Sequence, residues 1–202
     1  MLVIQSTRLK VLCEAPVRPE GRYVLYWMQA AQRAGFNPAL EYAVEQAQAL
    51  DLPVLTVFGL TAFPEANARH YDFMLRGLAE VEQALAARGI GFLIRKQPPH
   101  ELVRELSGEA ALVVCDRGYL KIQRTWRAKL AEGFDRRLVQ VEGEVVVPVE
   151  TASPKHEYAA RTLRPKVQRL FETYIEDLAE PPVRRRAEGL DLGGGLDLSR
   201  VD

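Results

Sequence analysis

The stretch YVLYWMQAAQRAGFNPALEYAVEQAQALDLPVLTVFGL, residues 23–60, decides the fold class. Its first six residues are a near-continuous apolar run following Pro19, Glu20 and Gly21, a turn-forming trio. Such a run suits a strand buried on both faces. Asn37 then offers a side-chain oxygen to a helix start, and Pro38 sits where a missing N–H costs nothing. Leu40, Ala43, Val44, Ala47 and Leu50 follow at helical spacing, and the pattern ends near Asp51. Residues 53–60, PVLTVFGL, form a second β-branched run. Strand, helix, strand is the unit of a parallel sheet.

The alternation continues outward. After Asn67 a long helix carries Tyr71, Met74, Leu75, Leu78, Val81 and Leu85 on one stripe, with Gly89 as its stop. Residues 91–95 (GFLIR), 110–115 (AALVVC) and 138–141 (LVQV) complete the short strands, with helical segments near 99–106 and 119–132. The expectation is an α/β, Rossmann-like fold: a five-stranded parallel sheet with helices on both faces, spanning residues 23–150. Residues 1–22 read as an N-terminal arm, 144–149 as extended chain and 151–178 as a basic amphipathic helix packing on the domain. From 179 to 202, paired prolines, three arginines and three glycines with no apolar period read as a linker without structure of its own.

Composition narrows the function. Among 202 residues, 27 Lys and Arg balance 27 Asp and Glu, so no global basic field draws the chain to nucleic acid. Cys13 and Cys115 read as free thiols, being too few for a disulfide framework or a zinc site. His70, His100 and His156 lack ligand spacing, which argues against a metal site, and His70 reads as a capping or surface residue. Trp27 and Trp126 are assigned to packing. No apolar run is long enough to span a bilayer and no signal-peptide pattern opens the chain, so the expected location is cytoplasmic.

Open parallel sheets bind ligands beyond the carboxyl ends of their strands. The loop after the first of these strands, residues 29–36, lacks the G-x-G-x-x-G of dinucleotide sites. No phosphate-binding G-x-x-x-x-G-K-[ST] or nucleophile elbow occurs anywhere. Instead Gln29, Gln32 and Arg33 stand beside Met28 and Phe36, a set suited to a flat heterocycle, although a solvated loop has the same composition. Asp116 and Arg117 follow the fourth strand, as ligand contacts or as a surface pair. Gly193 to Gly195 lie between no strand and helix, which makes them a flexible segment and not a phosphate cradle. Within residues 153–174, the part up to Arg169 gathers Lys155, Arg161, Arg164, Lys166 and Arg169 against Glu157 alone. Arg161, Pro165 and Arg169 share one helical face, while Leu163, Val167, Leu170 and Tyr174 define the apolar one. That basic face suits DNA, a partner domain or water.

Three stretches carry a resemblance: VLYWMQAAQRAGFNPALEYA (24–43), RHYDFMLRGLAEVEQAL (69–85) and SPKHEYAARTLRPKV (153–167). They resemble the N-terminal part of class II cyclobutane pyrimidine dimer photolyases, the last through a Lys-x-Glu-Tyr-x-Ala-Arg-Thr-x-Arg signature. The resemblance implies a light-driven lyase in which reduced FAD gives an electron to a dimer flipped out of UV-damaged DNA. It also implies that FAD and dimer are held by a following helical domain, for which these residues have no counterpart, so the chain alone is expected to be inactive. The α/β part would carry an antenna, a deazaflavin or a folate. The expected antenna set is Met28, Gln29, Gln32, Arg33, Phe36, Gly59, Asp116 and Arg117. The expected interdomain or DNA-side set is Lys155, Glu157, Tyr158, Arg161, Thr162 and Arg164. No metal and no membrane are expected as partners. The alternatives are a cryptochrome-like protein and an unrelated nucleotide-binding α/β protein of the stress-protein or electron-transfer-flavoprotein kind.

Overall fold

The computed structural model describes residues 4–190 and 192–198. In chain order its elements are β1 (Leu9–Cys13), β2 (Tyr23–Trp27), α1 (Pro38–Leu50), β3 (Val54–Gly59), α2 (Ala68–Arg88) and β4 (Gly91–Arg95). There follow α3 (Pro99–Leu106), β5 (Ala110–Asp116), α4 (Lys121–Ala131), β6 (Leu138–Val141), α5 (Val149–Ala152) and α6 (Ala160–Tyr174). The strands form a single sheet in the order β1-β6-β5-β2-β3-β4. All neighbours pair in parallel except β1 with β6.

Burial explains why the middle of this sheet was readable. Every residue of β2 and β5 is buried, as two-sided coverage requires of an apolar run. On one face, Val24, Tyr26, Leu40, Val44, Leu78 and Leu85 join α1 and α2 to the sheet. On the other, Leu25, Trp27, Leu102, Val103 and Leu130 join α3 and α4. Local signals hold each helix in place. Asn37 accepts the Leu40 N–H at 3.2 Å, and Asn67 and His70 form a reciprocal capping box at the start of α2. Gly89 ends α2 at φ 81°, the left-handed region that favours glycine.

The sheet has six strands where five were expected. The sixth lies in the supposed N-terminal arm, where Leu9 to Cys13 run antiparallel to β6 with Lys10 opposite Gln140. Its burial is only partial, so five residues that include Lys10 carry no strong strand pattern; the pairing to a strand far along the chain creates it. Residues 144–148 form no strand, because the Arg8 guanidinium gathers the carbonyls of Glu142, Val145 and Val146. The basic helix begins at Ala160 rather than near 153. Of its apolar face only Tyr174 is buried, with its hydroxyl on Thr7.

Among the described residues of 179–198 there is no regular element of more than a single turn, yet they are docked. Leu178 and Val183 pack on the α1/α2 face, Leu190 and Leu192 on the α3/α4 face, and Leu198 is buried back on the first. This strap crosses the β4 edge twice.

Candidate functional site

The chain leaves β2 toward β3 on one side and returns through β5 on the other, so the order of the sheet reverses between β2 and β5. A crevice opens at the carboxyl ends of strands at such a point. Its two halves are built differently.

The half toward β6 is a polar knot. The Asp116 carboxylate, at the end of β5, accepts the backbone N–H groups of Gln29, Ala30 and Ala31 at 2.9 to 3.0 Å. Burial pushes this carboxyl up and the three donors pull it back. The Asn37 amide donates to the carbonyls of Ala31 and Arg33 and to the Tyr26 hydroxyl. Arg88 donates to the carbonyl of Ala34 and pairs both oxygens of the buried Glu41 at 2.7 Å. Arg33 turns outward to Glu144 and the Phe36 carbonyl. Arg117 pairs with Glu142 and Glu150 and lies over the Tyr119 ring.

The half toward β3 is a cleft of about 270 Å³. Gln29 and Gln32 form one wall, and Phe58 and Gly59 at the end of β3 form the floor. His70, Tyr71 and Met74 of α2 face Leu120, Ile122, Gln123 and Trp126 of α4 across it. No lining residue carries a formal charge other than through His70. Tyr71 pins the rim, accepting the Phe63 N–H and donating to the Thr61 carbonyl. His70 Nδ1 accepts the Asn67 N–H, which leaves the proton of the neutral ring on Nε2. At the back is a narrow gap bordered by Trp27, Gln29, Cys115, Asp116, Gln123, Trp126 and Arg127, and two of these residues carry buried donors, Gln29 Nε2 and Trp27 Nε1. Neither has an acceptor among the described residues.

The structure therefore brings Gln29, Gln32 and Gly59 of the expected antenna set together in the cleft. Met28 is in the core, and Phe36 is 74% exposed on the far side of its loop at φ 49°. Arg33, Asp116 and Arg117 belong to the knot, Asp116 reaching only the gap behind the cleft. Gly59 has a structural reason as well: a Cβ there would stand 2.6 Å from Pro99 Cα, where α3 crosses close over the strand end. The α2 and α4 wall went unread for a physical reason. Tyr71 and Met74 continue the stripe of Leu78, Val81 and Leu85, but α2 is about 31 Å long by its rise and β3 only about 20 Å. Its first turns overhang the sheet, and the same stripe that builds the core lines the cleft. Ile122 and Trp126 do likewise ahead of Leu130.

The second expected set lies elsewhere. Glu157 is clamped by Ser153 and Lys166, and with Thr162 these donors hold its carboxyl down to about 2. Thr162 Oγ1 donates to the Ala159 carbonyl, Tyr158 is 90% exposed, and Lys155, Arg161 and Arg164 are exposed. Among the described residues, neither Arg161 nor Arg164 forms an ion pair. No group of three or more His, Cys, Asp and Glu there is arranged to hold a metal ion, and no helix is long and apolar enough to cross a membrane.

Comparison with known proteins converges on one family. The DNA photolyase family model matches residues 24–183. A deoxyribodipyrimidine photo-lyase of Methanothermobacter thermautotrophicus is 42% identical over 197 residues, covering 96% of this chain and 43% of the relative. Proteins of the same name from Arabidopsis thaliana and Oryza sativa are 31% and 33% identical, covering 90% and 92% of this chain. The chain thus spans about two fifths of the length of these relatives. A universal stress protein from Archaeoglobus fulgidus is similar over 59% of this chain and 97% of its own, at 14% identity and a TM-score of 0.42. The family match, which extends through the cleft, the knot and α6, does not favour the unrelated nucleotide-binding alternative: the chain belongs to the DNA photolyase family.

Proposed function

We propose that this chain is the antenna and scaffold part of a class II photolyase, a light-driven lyase that repairs cyclobutane pyrimidine dimers in UV-damaged DNA. The family is one that uses FAD. The cleft does not suit that cofactor, because nothing charged lines it to meet a pyrophosphate. No step of flavin chemistry is therefore assigned to these residues, and the lyase reaction is expected only with a flavin-binding helical domain.

The cleft instead suits a planar chromophore without phosphates, such as a deazaflavin or the pterin of a folate. The observation that carries this reading is the unpartnered Gln29 Nε2 at the back of an apolar cleft between α2 and α4. A buried donor without an acceptor costs about 1–3 kcal/mol, and a ring carbonyl would answer it. Apolar walls with a few convergent polar groups are the usual make-up of a small-molecule site, and the volume of about 270 Å³ falls just below the ~300–1,000 Å³ such sites span. An antenna bound there would supply absorbed light energy, and Gln29, Met74 and Trp126 would hold it and exclude water. Titrating the protein with a deazaflavin and, separately, a folate tests the reading: a shift of the chromophore's absorption and quenching of its emission support it, and unchanged spectra for both refute it.

A second role is carried by α6. Leu163, Phe171 and Ile175 are exposed on or beside a helix that buries only Tyr174, next to unpaired Arg161 and Arg164. We infer that this face, with Lys155 and Tyr158, docks the helical domain and borders its DNA groove. The double reversal Arg161→Glu/Arg164→Glu in the longer protein should loosen that docking, seen as faster flavin loss, and an unchanged rate refutes it.

A further inference from the structure

The two edges of the sheet are protected by different devices. An open edge strand is a template for another strand, and proteins blunt it with lysines, bulges or covers. At one edge, β1 carries Lys10 and a register irregularity between Val11 and Cys13. At the other, β4 reads Gly91–Arg95, GFLIR, pairs with β3 in unbroken register and carries no charge before its last residue. Its protection is the strap. Ala187 N–H donates to the Gly89 carbonyl and Leu196 N–H to the Ile94 carbonyl, both at 2.9 Å. Arg95 forks onto the carbonyls of Leu192 and Gly193 at 2.6 and 2.7 Å while it pairs with Glu105.

The cover is loosely fitted. Between strap and strand lies a space of about 360 Å³, bordered by Leu55, Phe92 and Leu93 on the sheet side and by Leu190 and Leu192 on the strap. A strand fused into the sheet would close such a space. The strap also turns on Gly193 and Gly194, at φ 59° and 66°, and enters through the paired Pro181 and Pro182. It is laid over the edge and not woven into it.

We propose that residues 179–198 are a detachable cover for the β4 edge, and that the edge, once uncovered, pairs with the same edge of a second copy of this chain. The sequence of β4 fits its own two-fold partner. Antiparallel pairing centred on Leu93 sets Phe92 opposite Ile94 and Arg95 opposite Gly91, so apolar residues meet and the two arginines do not face each other. The strap keeps the chain monomeric, and its displacement permits dimerisation.

The test uses the full chain carrying Leu190→Asp and Leu198→Asp, which remove one anchor on each face of the sheet. Trypsin cleavage at Arg184 to Arg186 should become several-fold faster. The mass by light scattering should rise with concentration from 22.7 kDa toward twice that value. Adding a synthetic peptide of residues 179–202, or the further change Leu93→Lys, should restore the monomer. Faster cleavage with an unchanged monomer mass overturns the pairing, and unchanged cleavage overturns the detachable cover. Leu196→Pro, which deletes one donor from an exposed residue, gives the same two readouts if the double variant does not fold.

Discussion

The knot around Asp116 and the cleft beside it stand at the same end of the same sheet and share the loop 29–36, but they settle their polar groups in opposite ways. In the knot the loop's groups are answered within the protein: three N–H groups by Asp116, the carbonyls of Ala31 and Arg33 by Asn37, and that of Ala34 by Arg88. At the back of the cleft, Gln29 carries a buried donor that nothing among the described residues answers. A polar group with all its partners inside is a brace, whereas one left open in an apolar space is an invitation to a ligand. The contrast also separates two kinds of site residue that look alike in sequence, since Asp116 and Gln29 both sit at strand ends.

Substitutions should break the comparison cleanly. The largest effect belongs to the knot. Asp116→Ala strands the buried N–H of Ala31 and the half-buried N–H groups of Gln29 and Ala30, and at about 1–3 kcal/mol for a fully buried group the loss of unfolding free energy in urea should be about 3 kcal/mol. Arg88→Met leaves Glu41, whose side chain is fully buried, without its cation and should cost about 3–5 kcal/mol. Gln29→Leu should do the reverse in the cleft. Removing an unanswered donor leaves stability unchanged or raises it by about 1 kcal/mol, while chromophore affinity falls about tenfold, the equivalent of about 1.4 kcal/mol.

Smaller effects are expected at α6, outside both regions. Arg161→Glu/Arg164→Glu should move the stability of this chain by no more than about 0.5 kcal/mol, because both side chains are exposed and unpaired. Glu157 provides the pH dependence. Its carboxyl is held at about 2 by Lys166, Thr162 and Ser153, below its ordinary value. A depressed acid contributes its stabilisation above the unfolded value and loses it as pH falls through the folded one. Protection of the amides at residues 153–159, measured as exchange relative to the unstructured rate at the same pH, should therefore be high at neutral pH and fall between about pH 4.5 and 2, and in Glu157→Gln it should not change across that range.

What the sequence disclosed follows the same division. Strands β2, β3 and β5 and helices α1 and α2 were legible because their own residues carry the reason: unbroken apolar runs, Asn37 and Asn67 as caps, Gly89 as a stop. Strand β1 and the strap were not, because each exists through distant partners. Lys10 meets Gln140, and Leu196 meets Ile94, across most of the chain or half of it. The cleft was half legible. Gln29, Gln32 and Gly59 announce themselves as strand-end residues. Met74 and Trp126 are hidden in stripes that read as core, and only the overhang of α2 and α4 past the sheet turns them into walls. Arg33 and Phe36 were drawn into the expected site by their place in the loop, but the left-handed backbone at Phe36 and the pull of Glu144 on Arg33 carry them away from it.

The most direct measurement of the central claim is a paired titration of the intact chain and its Gln29→Leu variant with a deazaflavin, read by the chromophore's absorption, alongside urea unfolding of both proteins. The account predicts saturable binding to the intact chain, about tenfold weaker binding to the variant, and no loss of stability in the variant. Equal affinity for the two proteins, or a variant that is weaker in binding only because it is unfolded, would contradict it.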